Sequence, residues 1–377
     1  MTPGLLVLSH LRWTWVWQRP QQLVSRLARD RPVWFAEEPQ RSRGPAPGLR
    51  TERHGPVCRL WPEVPGDPRD DALLGGPLHL GFDAAPGLGD RLRELLAERP
   101  PPVMWLYTPL ALPHVAGLER AALVYDVMDD LAAFRNAPRS LRDLQDETLA
   151  TADLVLAGGR SLYAGVRDRA GNRAVLVPSG VDAAHFAPAA APRAPRARPV
   201  AGYVGVVDER LDLDLVDGLA RALPGWDVEL VGPLAKLEPA ALPQAPNLRF
   251  TGPRGYDELP AVMSGFDVAL MPFALSEATR SISPTKTLEY LAAGLPVVST
   301  PVPDVVADHG DLVTLADDAA GFADACRALH AQDPAPRRAA AAATLRRRDW
   351  DAIAARVSRL VDRAVGTGRR AGAARAA

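Results

Sequence analysis

Ser283-Pro-Thr-Lys-Thr-Leu-Glu-Tyr-Leu-Ala-Ala-Gly-Leu-Pro-Val-Val-Ser-Thr300 reads as loop, helix, glycine stop and strand. Ahead of it stand an apolar strand-like run, Asp267-Val-Ala-Leu-Met-Pro-Phe273, and a polar loop from Ala274 to Ile282. Ser283 suits a helix N-cap, and Pro284 a first helical position, because the N–H that proline lacks would have no partner there. Gly294 can end the helix in the left-handed conformation, with Pro296 just beyond. Leu288, Leu291 and Ala292 make one apolar face, while Lys286 and Glu289, three residues apart, are neighbours on another. Free N–H groups at the Ser283 end favour an anion, and Lys286 can close on it, which suits a phosphate or diphosphate. Glu289, one turn on, is positioned to accept hydrogen bonds from sugar hydroxyls. The plainer reading is a capped helix with one exposed lysine. Against it stands the rarity of lysine: of 44 basic residues only Lys236 and Lys286 are lysines.

Working outward, 377 residues exceed one compact core and fit two domains of ordinary size. Hydrophobic residues at 47% and charged residues at 24% are those of a globular chain. A net charge of −1 argues against a nucleic-acid binder, which carries a basic excess. Cys58 and Cys326 offer neither zinc spacing nor a disulfide framework, and with no basic region ahead of a long apolar stretch at the N-terminus they predict a cytoplasmic protein. Arginine patches leave room for peripheral membrane contact, and oligomeric state is not encoded in any motif.

The remaining chain alternates strand and helix. Strands are predicted at Gly4–Ser9, Pro32–Ala36, Val57–Trp61, Val103–Leu106, Ala122–Tyr125, Asp153–Ala157 and Ala174–Val177. Helices are predicted at Gln18–Arg29, Leu88–Glu98, Leu112–Glu119, Arg139–Thr151 and Arg160–Arg169. Residues 187–199, four prolines among alanines and arginines, break the composition and read as a linker between domains at 1–186 and 200–348. Beyond it strands at Val200–Val204, Asp227–Val231, Leu248–Thr251, Val268–Met271 and Leu312–Leu315 alternate with helices at Leu213–Ala222, Tyr256–Met263, Ala320–Ala331 and Ala335–Arg347. A final helix begins at Trp350, and the Arg/Ala/Gly tail, 367–377, is expected to lack order. The pattern predicts an α/β architecture of two doubly wound, mostly parallel sheets. Ligands of such sheets sit beyond the carboxyl ends of the strands, and if the two halves face each other the unusual loops line one cleft.

Those loops carry the candidate chemistry. His10-Leu-Arg-Trp-Thr-Trp-Val-Trp-Gln-Arg-Pro20 places three tryptophans and a histidine after the first strand, the aromatic faces and polar tips of a sugar site, or else edge packing. Asp126, Asp129 and Asp130 cluster at a strand end, where one carboxylate can act as a base or simply cap a helix or pair with arginine. Gly202-Tyr-Val-Gly-Val-Val-Asp-Glu-Arg210 lets backbone approach a diphosphate at Gly205, with Arg210 in reach, but lacks the further glycines of a dinucleotide fingerprint. Asp212-Leu-Asp214 opens a helix instead of closing a strand, so it reads as a cap and not as a metal site. No other metal, zinc or hydrolase motif appears.

Together these motifs resemble the GT-B glycosyltransferases, closest to the bacterial family 1/family 4 enzymes of polysaccharide and teichuronic-acid assembly. The resemblance rests on the 283–298 segment with Trp17-Gln-Arg-Pro-Gln-Gln-Leu, Tyr125-Asp-Val-Met-Asp-Asp, Gly158-Gly-Arg-Ser-Leu-Tyr, Pro178-Ser-Gly-Val-Asp and Gly202-Tyr-Val-Gly, and it runs from about residue 4 to 365. It implies two Rossmann-like domains facing across a cleft, the acceptor mainly on the first and a nucleoside-diphosphate sugar on the second. Glu289 matches the ribose-binding carboxylate, Ser283, Thr285 and Lys286 match diphosphate contacts, and the Gly205 loop covers the phosphates. Trp350 and the helix at 349–366 match the segment that crosses back onto the first domain. One departure stands out: the family glutamate eight residues before Glu289 is Ser281 here, with Glu277 and Arg280 nearby.

The expected activity is hexosyl transfer from a UDP-, GDP- or dTDP-sugar to a hydroxyl of a glycan, lipid-linked or small-molecule acceptor, metal-independent and retaining, without a further cofactor. Lys286, with Arg210 or Arg280, offsets the leaving diphosphate. His10, Trp13, Gln18 and Arg19 receive the acceptor, and Asp126 or Asp129 is the base if configuration inverts. The rival readings are a nucleotide-sugar epimerase and a non-catalytic nucleotide or carbohydrate binder.

Overall fold

In the computed structural model, which describes residues 2–44, 48–68, 81–134, 137–191 and 196–376 with side chains to residue 367, the apolar runs become parallel strands with helices returning between them. Two compact units result. The first comprises Met1–Pro178 with Asp351–Ala377, the second Ser179–Trp350.

The first unit runs β1 (Leu5–Ser9), α1 (Arg19–Leu27), β2 (Val33–Glu37), β3 (Gln40–Ser42), β4 (Leu49–His54), β5 (Val57–Pro65), α2 (Leu88–Leu96), β6 (Val103–Leu106), α3 (Leu112–Val115), β7 (Ala122–Val127), α4 (Ser140–Thr151), β8 (Leu154–Ala157), α5 (Arg160–Ala170) and β9 (Ala174–Leu176). The strands form one sheet in the order β3-β5-β2-β1-β6-β7-β8-β9, with β4 pairing antiparallel on β5. β1, β6, β7 and β8 are buried along their whole length, as a sheet covered on both faces requires. β3 and β4 were not expected. Leu49-Arg-Thr-Glu-Arg-His54 is polar and largely exposed, so this edge strand shows no apolar alternation.

A buried ion pair holds the middle of this unit together. Arg19, on the first turn of α1, places Nε 3.0 and 3.2 Å from the two Asp126 oxygens and Nη2 2.9 Å from Oδ1. Its Nη1 donates to the Val177 carbonyl at 2.8 Å. The side chains are 1% and 0% exposed. One guanidinium thus joins α1, β7 and the chain leaving β9. Burial pushes the Asp126 carboxyl up from its usual range, and Arg19 opposes the shift.

The last helix, α14 (Trp350–Ala376), lies with the first unit from Asp351 on. Ile353, Ala354, Val357, Val361 and Val365 make its buried stripe at helical spacing. Arg26 and Arg29 reach Asp351 at 2.9 and 3.0 Å, and Arg31, itself buried, reaches Ser358 at 2.7 Å and Asp362 at 3.2 Å. The helix continues through 367–376, where order was not expected; alanine and arginine rank among the best helix formers.

The second unit runs α6 (Ala183–Phe186), β10 (Val200–Val204), α7 (Leu213–Ala222), β11 (Asp227–Val231), β12 (Leu248–Phe250), α8 (Leu259–Met263), β13 (Val268–Met271), α9 (Glu277–Arg280), α10 (Lys286–Ala292), β14 (Val297–Ser299), α11 (Pro303–His309), β15 (Thr314–Leu315), α12 (Ala319–His330) and α13 (Ala335–Arg347). Its sheet is parallel, in the order β12-β11-β10-β13-β14-β15. The strand order reverses between β10 and β13, so the crevice expected of such a sheet opens at their carboxyl ends.

The domain boundary falls earlier than the composition break. Val181, Phe186 and Ala189 belong to the second core, and the Val181 N–H donates to the Arg348 carbonyl at 2.8 Å. Buried apolar side chains, not proline content, decide which unit 179–191 joins. Residues 192–195 of the expected linker lie outside the described residues.

Removing either member of the Arg19–Asp126 pair leaves the other charge buried without its counter-ion. Asp126→Ala or Arg19→Ala is expected to destabilise the chain by about 3–5 kcal/mol, read as a lower midpoint in urea unfolding, and the effects of the two substitutions combined should fall well short of their sum.

Candidate functional site

The second unit gathers its chemistry where β10 ends. Gly205 follows β10, and a Cβ there would lie 2.1 Å from Lys286 Cε and 2.5 Å from the Tyr203 hydroxyl. Gly232, at the end of β11, is as tightly placed: a Cβ would sit 1.7 Å from the Gly205 carbonyl oxygen. The Gly205 N–H donates to the Val231 carbonyl at 2.8 Å, and the Gly232 N–H to the Gly252 carbonyl at 2.9 Å. Side-chain-free backbone therefore floors the crevice, and the aliphatic stem of Lys286 lies across it.

α10 is fastened to this floor from one turn further along. The buried Tyr290 hydroxyl accepts the Val204 N–H at 2.8 Å and donates to the Val204 carbonyl at 3.3 Å. Tyr290 stands four residues after Lys286, so this anchor fixes the face from which Lys286 projects. Gly294 ends the helix at φ 71°, and the Leu295 N–H returns to the Tyr290 carbonyl at 3.0 Å, a Schellman closure. The start differs from expectation. The helix opens at Lys286 after Thr285, so Ser283 is not its N-cap. With seven residues, α10 brings a small dipole, and the cationic work there falls to Lys286 itself.

Charges are paired around that lysine. Arg210 grips Asp208 with Nε at 3.0 and 3.1 Å and Nη2 at 2.7 Å, and Asp208 is 6% exposed. Lys236 Nζ lies 3.5 Å from Glu209 Oε1. Lys236 holds φ at 57°, a left-handed conformation unusual for a residue with a side chain. Burial lowers the Lys286 pKa and the Arg210 charge adds to this, against the pull of Glu289 and Asp208. Burial raises the Glu289 carboxyl, against Lys286, His185 and a hydrogen bond from Thr285. His185 is itself fixed: its ring stacks on Tyr256 at 4.2 Å and 4°, and its Nε2 lies 3.0 Å from the Tyr256 carbonyl.

Lys286, Glu289, Thr285, Gly205 and Arg210 thus meet at one strand end. Glu277 and Arg280 do not join them in any hydrogen bond: both are exposed on the short helix α9. Ser281 and Ser283 follow it, half-buried. Asp208, Tyr290, Gly232 and His185 also belong here, and none was singled out from sequence. Gly232 had a visible signal, a glycine closing an apolar run at Val231-Gly-Pro233. Tyr290 had none, because its hydroxyl finds β10 only through the fold. Asp212 accepts the Leu215 N–H at 2.8 Å, the helix cap read from its position.

In the first unit the aromatic loop is partly core. Trp13 is 7% exposed, packed edge-on against Phe35 at 5.1 Å and Trp17 at 5.7 Å. Its backbone N–H donates to the buried Glu37 carboxylate at 2.7 Å, and Arg59 pairs with the same carboxylate. His10 is buried, whereas Trp15, Trp17 and Gln18 are half-buried. Gln18 flanks α1, its N–H donating to the Gln21 side chain at 3.0 Å. Arg19 and Asp126, proposed from sequence for acceptor binding and for base catalysis, are sealed together inside the unit. Asp129 stays half-buried at the strand end. Among the described residues no group of three His, Cys, Asp or Glu side chains is placed to hold a metal, and no helix is long and apolar enough to cross a membrane.

Residues 198–332 match the family model for glycosyl transferases group 1. Over 107 residues the chain is 35% identical to a Bacillus subtilis (strain 168) protein named for a teichuronic acid biosynthesis glycosyltransferase, TuaH. That stretch is 28% of this chain and 27% of the relative, so the match spans about a quarter of the curated protein. Among solved structures, a UDP-forming alpha,alpha-trehalose-phosphate synthase from Burkholderia xenovorans in complex with glucose-6-phosphate superposes with a TM-score of 0.69 at 16% identity, over 94% of this chain and 99% of that one. An E. coli trehalose-6-phosphate structure bound with UDP-2-fluoro glucose gives 0.66 at 14% identity, over 95% and 98%. The chain has the GT-B fold, and its residues 198–332 are similar to the group 1 glycosyl transferases.

Proposed function

We propose that the protein transfers a sugar from a nucleoside-diphosphate sugar to a hydroxyl acceptor, without a metal ion and with retention of configuration. The observation that carries this reading is Lys286 lying across the bare backbone of Gly205, with Arg210 in its field and Glu289 one turn behind. A diphosphate on that floor meets backbone at close range and two cations, the charge neutralisation a divalent ion otherwise supplies. Arg210 exchanges its Asp208 partner for phosphate oxygen, and Lys286 regains in the donor the counter-charge that burial withholds. Glu289 accepts from the ribose hydroxyls, with Lys286, His185 and Thr285 opposing the rise that burial imposes on its carboxyl. The structural neighbours support a UDP-sugar donor and a sugar-phosphate type of acceptor, and for one of them, a trehalose-6-phosphate synthase, the chemistry described is enzymatic glycosyltransfer with retention.

In this route the bond from the sugar's anomeric carbon to the β-phosphate oxygen breaks as the acceptor oxygen bonds to the same carbon. The acceptor proton passes to the departing phosphate oxygen, so no carboxylate base is needed. Asp126, with both oxygens engaged by Arg19, is assigned a structural role, while Asp129, Trp15, Trp17 and Gln18 are half-buried at strand ends of the first unit.

Lys286→Met is expected to lower kcat/KM by about 10²-fold or more, while its far-UV circular dichroism and melting temperature stay at the parent values. Unchanged transfer would overturn the diphosphate assignment. Gly205→Ala should cost as much, since its methyl group displaces the Lys286 stem, and Gly225→Ala, where a Cβ meets open space, serves as the control for glycine replacement elsewhere in the unit. Titration with a UDP-sugar should give a bell-shaped affinity profile. Affinity rises as Glu289 ionises, above its ordinary 4.5 because burial raises it, and falls as Lys286 loses its proton, below its ordinary 10.5. Glu289→Gln removes the acid limb and Lys286→Met the alkaline limb. Transfer rates in excess EDTA should equal those in magnesium.

A further inference from the structure

A pocket of about 580 Å³ opens on the first unit at the amino ends of β1, β2, β6 and β7, bordered by Gly4, Pro32, Pro101 and Ala121, which precede those strands. The loops of this unit that follow β1 and β7, with Trp15, Trp17 and Asp129, leave the opposite, carboxyl ends, roughly 15 Å away along strands of about five residues. Its volume lies within the range of small-molecule sites. We propose that this pocket binds an anionic saccharide, stacked on Trp34 and paired through its acidic groups with Arg99 and Arg120. Binding there is separate from the transfer reaction.

Three features of the lining carry it. First, Trp34 is half-buried and pressed against bare backbone: a Cβ on Gly4 would lie 2.8 Å from its Cζ3 and 3.1 Å from the Pro32 carbonyl oxygen. Gly4 is therefore what lets the indole lie on the strand entrance and present ring surface to the pocket. Second, the charge is of one sign. The Arg99 guanidinium carbon stands over the Trp34 ring, 5.4 Å from its centroid, with Nη1 donating to the Leu95 carbonyl, so this exposed side chain swings off the indole to meet the acidic group as the sugar stacks. Arg120 is half-buried, and no acidic side chain lines the pocket among the described residues. Third, Pro3, Pro32, Pro100 and Pro101 supply C–H surface without N–H donors. A base edge finds few donors in such a lining, whereas the C–H face of a sugar ring needs only the indole and the proline rings. Arginine forks pair with carboxylate or phosphate in two-point geometry.

The test uses the full chain and trigalacturonate at low ionic strength, followed by calorimetry and by tryptophan fluorescence. Parent protein is expected to bind it and to bind maltotriose at least about 10-fold more weakly. Arg99→Ala/Arg120→Ala, both changes at exposed or half-buried positions, should lose at least about 10-fold in affinity with an unaltered melting temperature, and raised salt should weaken the parent likewise. Trp34→Phe keeps a ring and part of the affinity. Equal binding by the parent and the double variant would overturn the proposal, as would equal binding of the neutral sugar. So would preference for uridine monophosphate or for acidic lipid vesicles over the saccharide. A UDP-sugar added in excess should leave the trigalacturonate affinity unchanged.

Discussion

Lys286 lies across the end of β10 because residue 205 has no side chain, and residue 205 can approach β11 because residue 232 has none. This pair of bare positions sets the depth of the crevice and the placement of the cation within it. The rest of the second unit serves that contact. Tyr290 ties α10 to Val204, Gly294 turns the chain back into β14, and the Asp208–Arg210 pair stores a second cation on the loop beside the first. None of these interactions is large alone; each removes a freedom that would let Lys286 swing into water.

Burial makes the cation chemically distinctive. A lysine on an exposed helix would be solvated and nearly indifferent to an anion, whereas the half-buried Lys286 has lost part of its hydration and binds an incoming diphosphate with less desolvation left to offset. The same burial raises Glu289, so the two charges three residues apart stabilise each other until a ligand intervenes. In the first unit burial has the opposite outcome. Arg19 and Asp126 pair with one another and, with the Val177 carbonyl, serve as a joint between α1, β7 and the chain after β9. An aspartate at a strand end thus takes its role from accessibility, not from position.

Much of the architecture was legible because helix and strand periods are local. The runs at Leu5–Ser9, Val200–Val204 and Val268–Met271 announce buried parallel strands, and the pair Lys286 and Glu289 is visible from spacing alone. Gly294 was readable as a stop for the same reason. What escaped were features whose cause is distant in sequence. β4 hides in polar residues because an edge strand faces water. Phe186 joins the second core across a composition that looks like a linker, and the helix expected to cap at Ser283 begins after Thr285.

The amino-acid sequence by itself determined the two alternating α/β series, the rarity and spacing of Lys286 with Glu289, and the glycines that permit close backbone approach, since each follows from short-range sterics and hydrophobic period. Only the tertiary structure decided which charges meet. It sealed Asp126 against Arg19, which lies 107 residues away in sequence, set the local Asp208–Arg210 pair beside Lys286, exposed Glu277 and Arg280 to solvent, and moved the domain boundary to residue 178. Ionic partnership and burial depend on which strands become neighbours, and no local pattern encodes that.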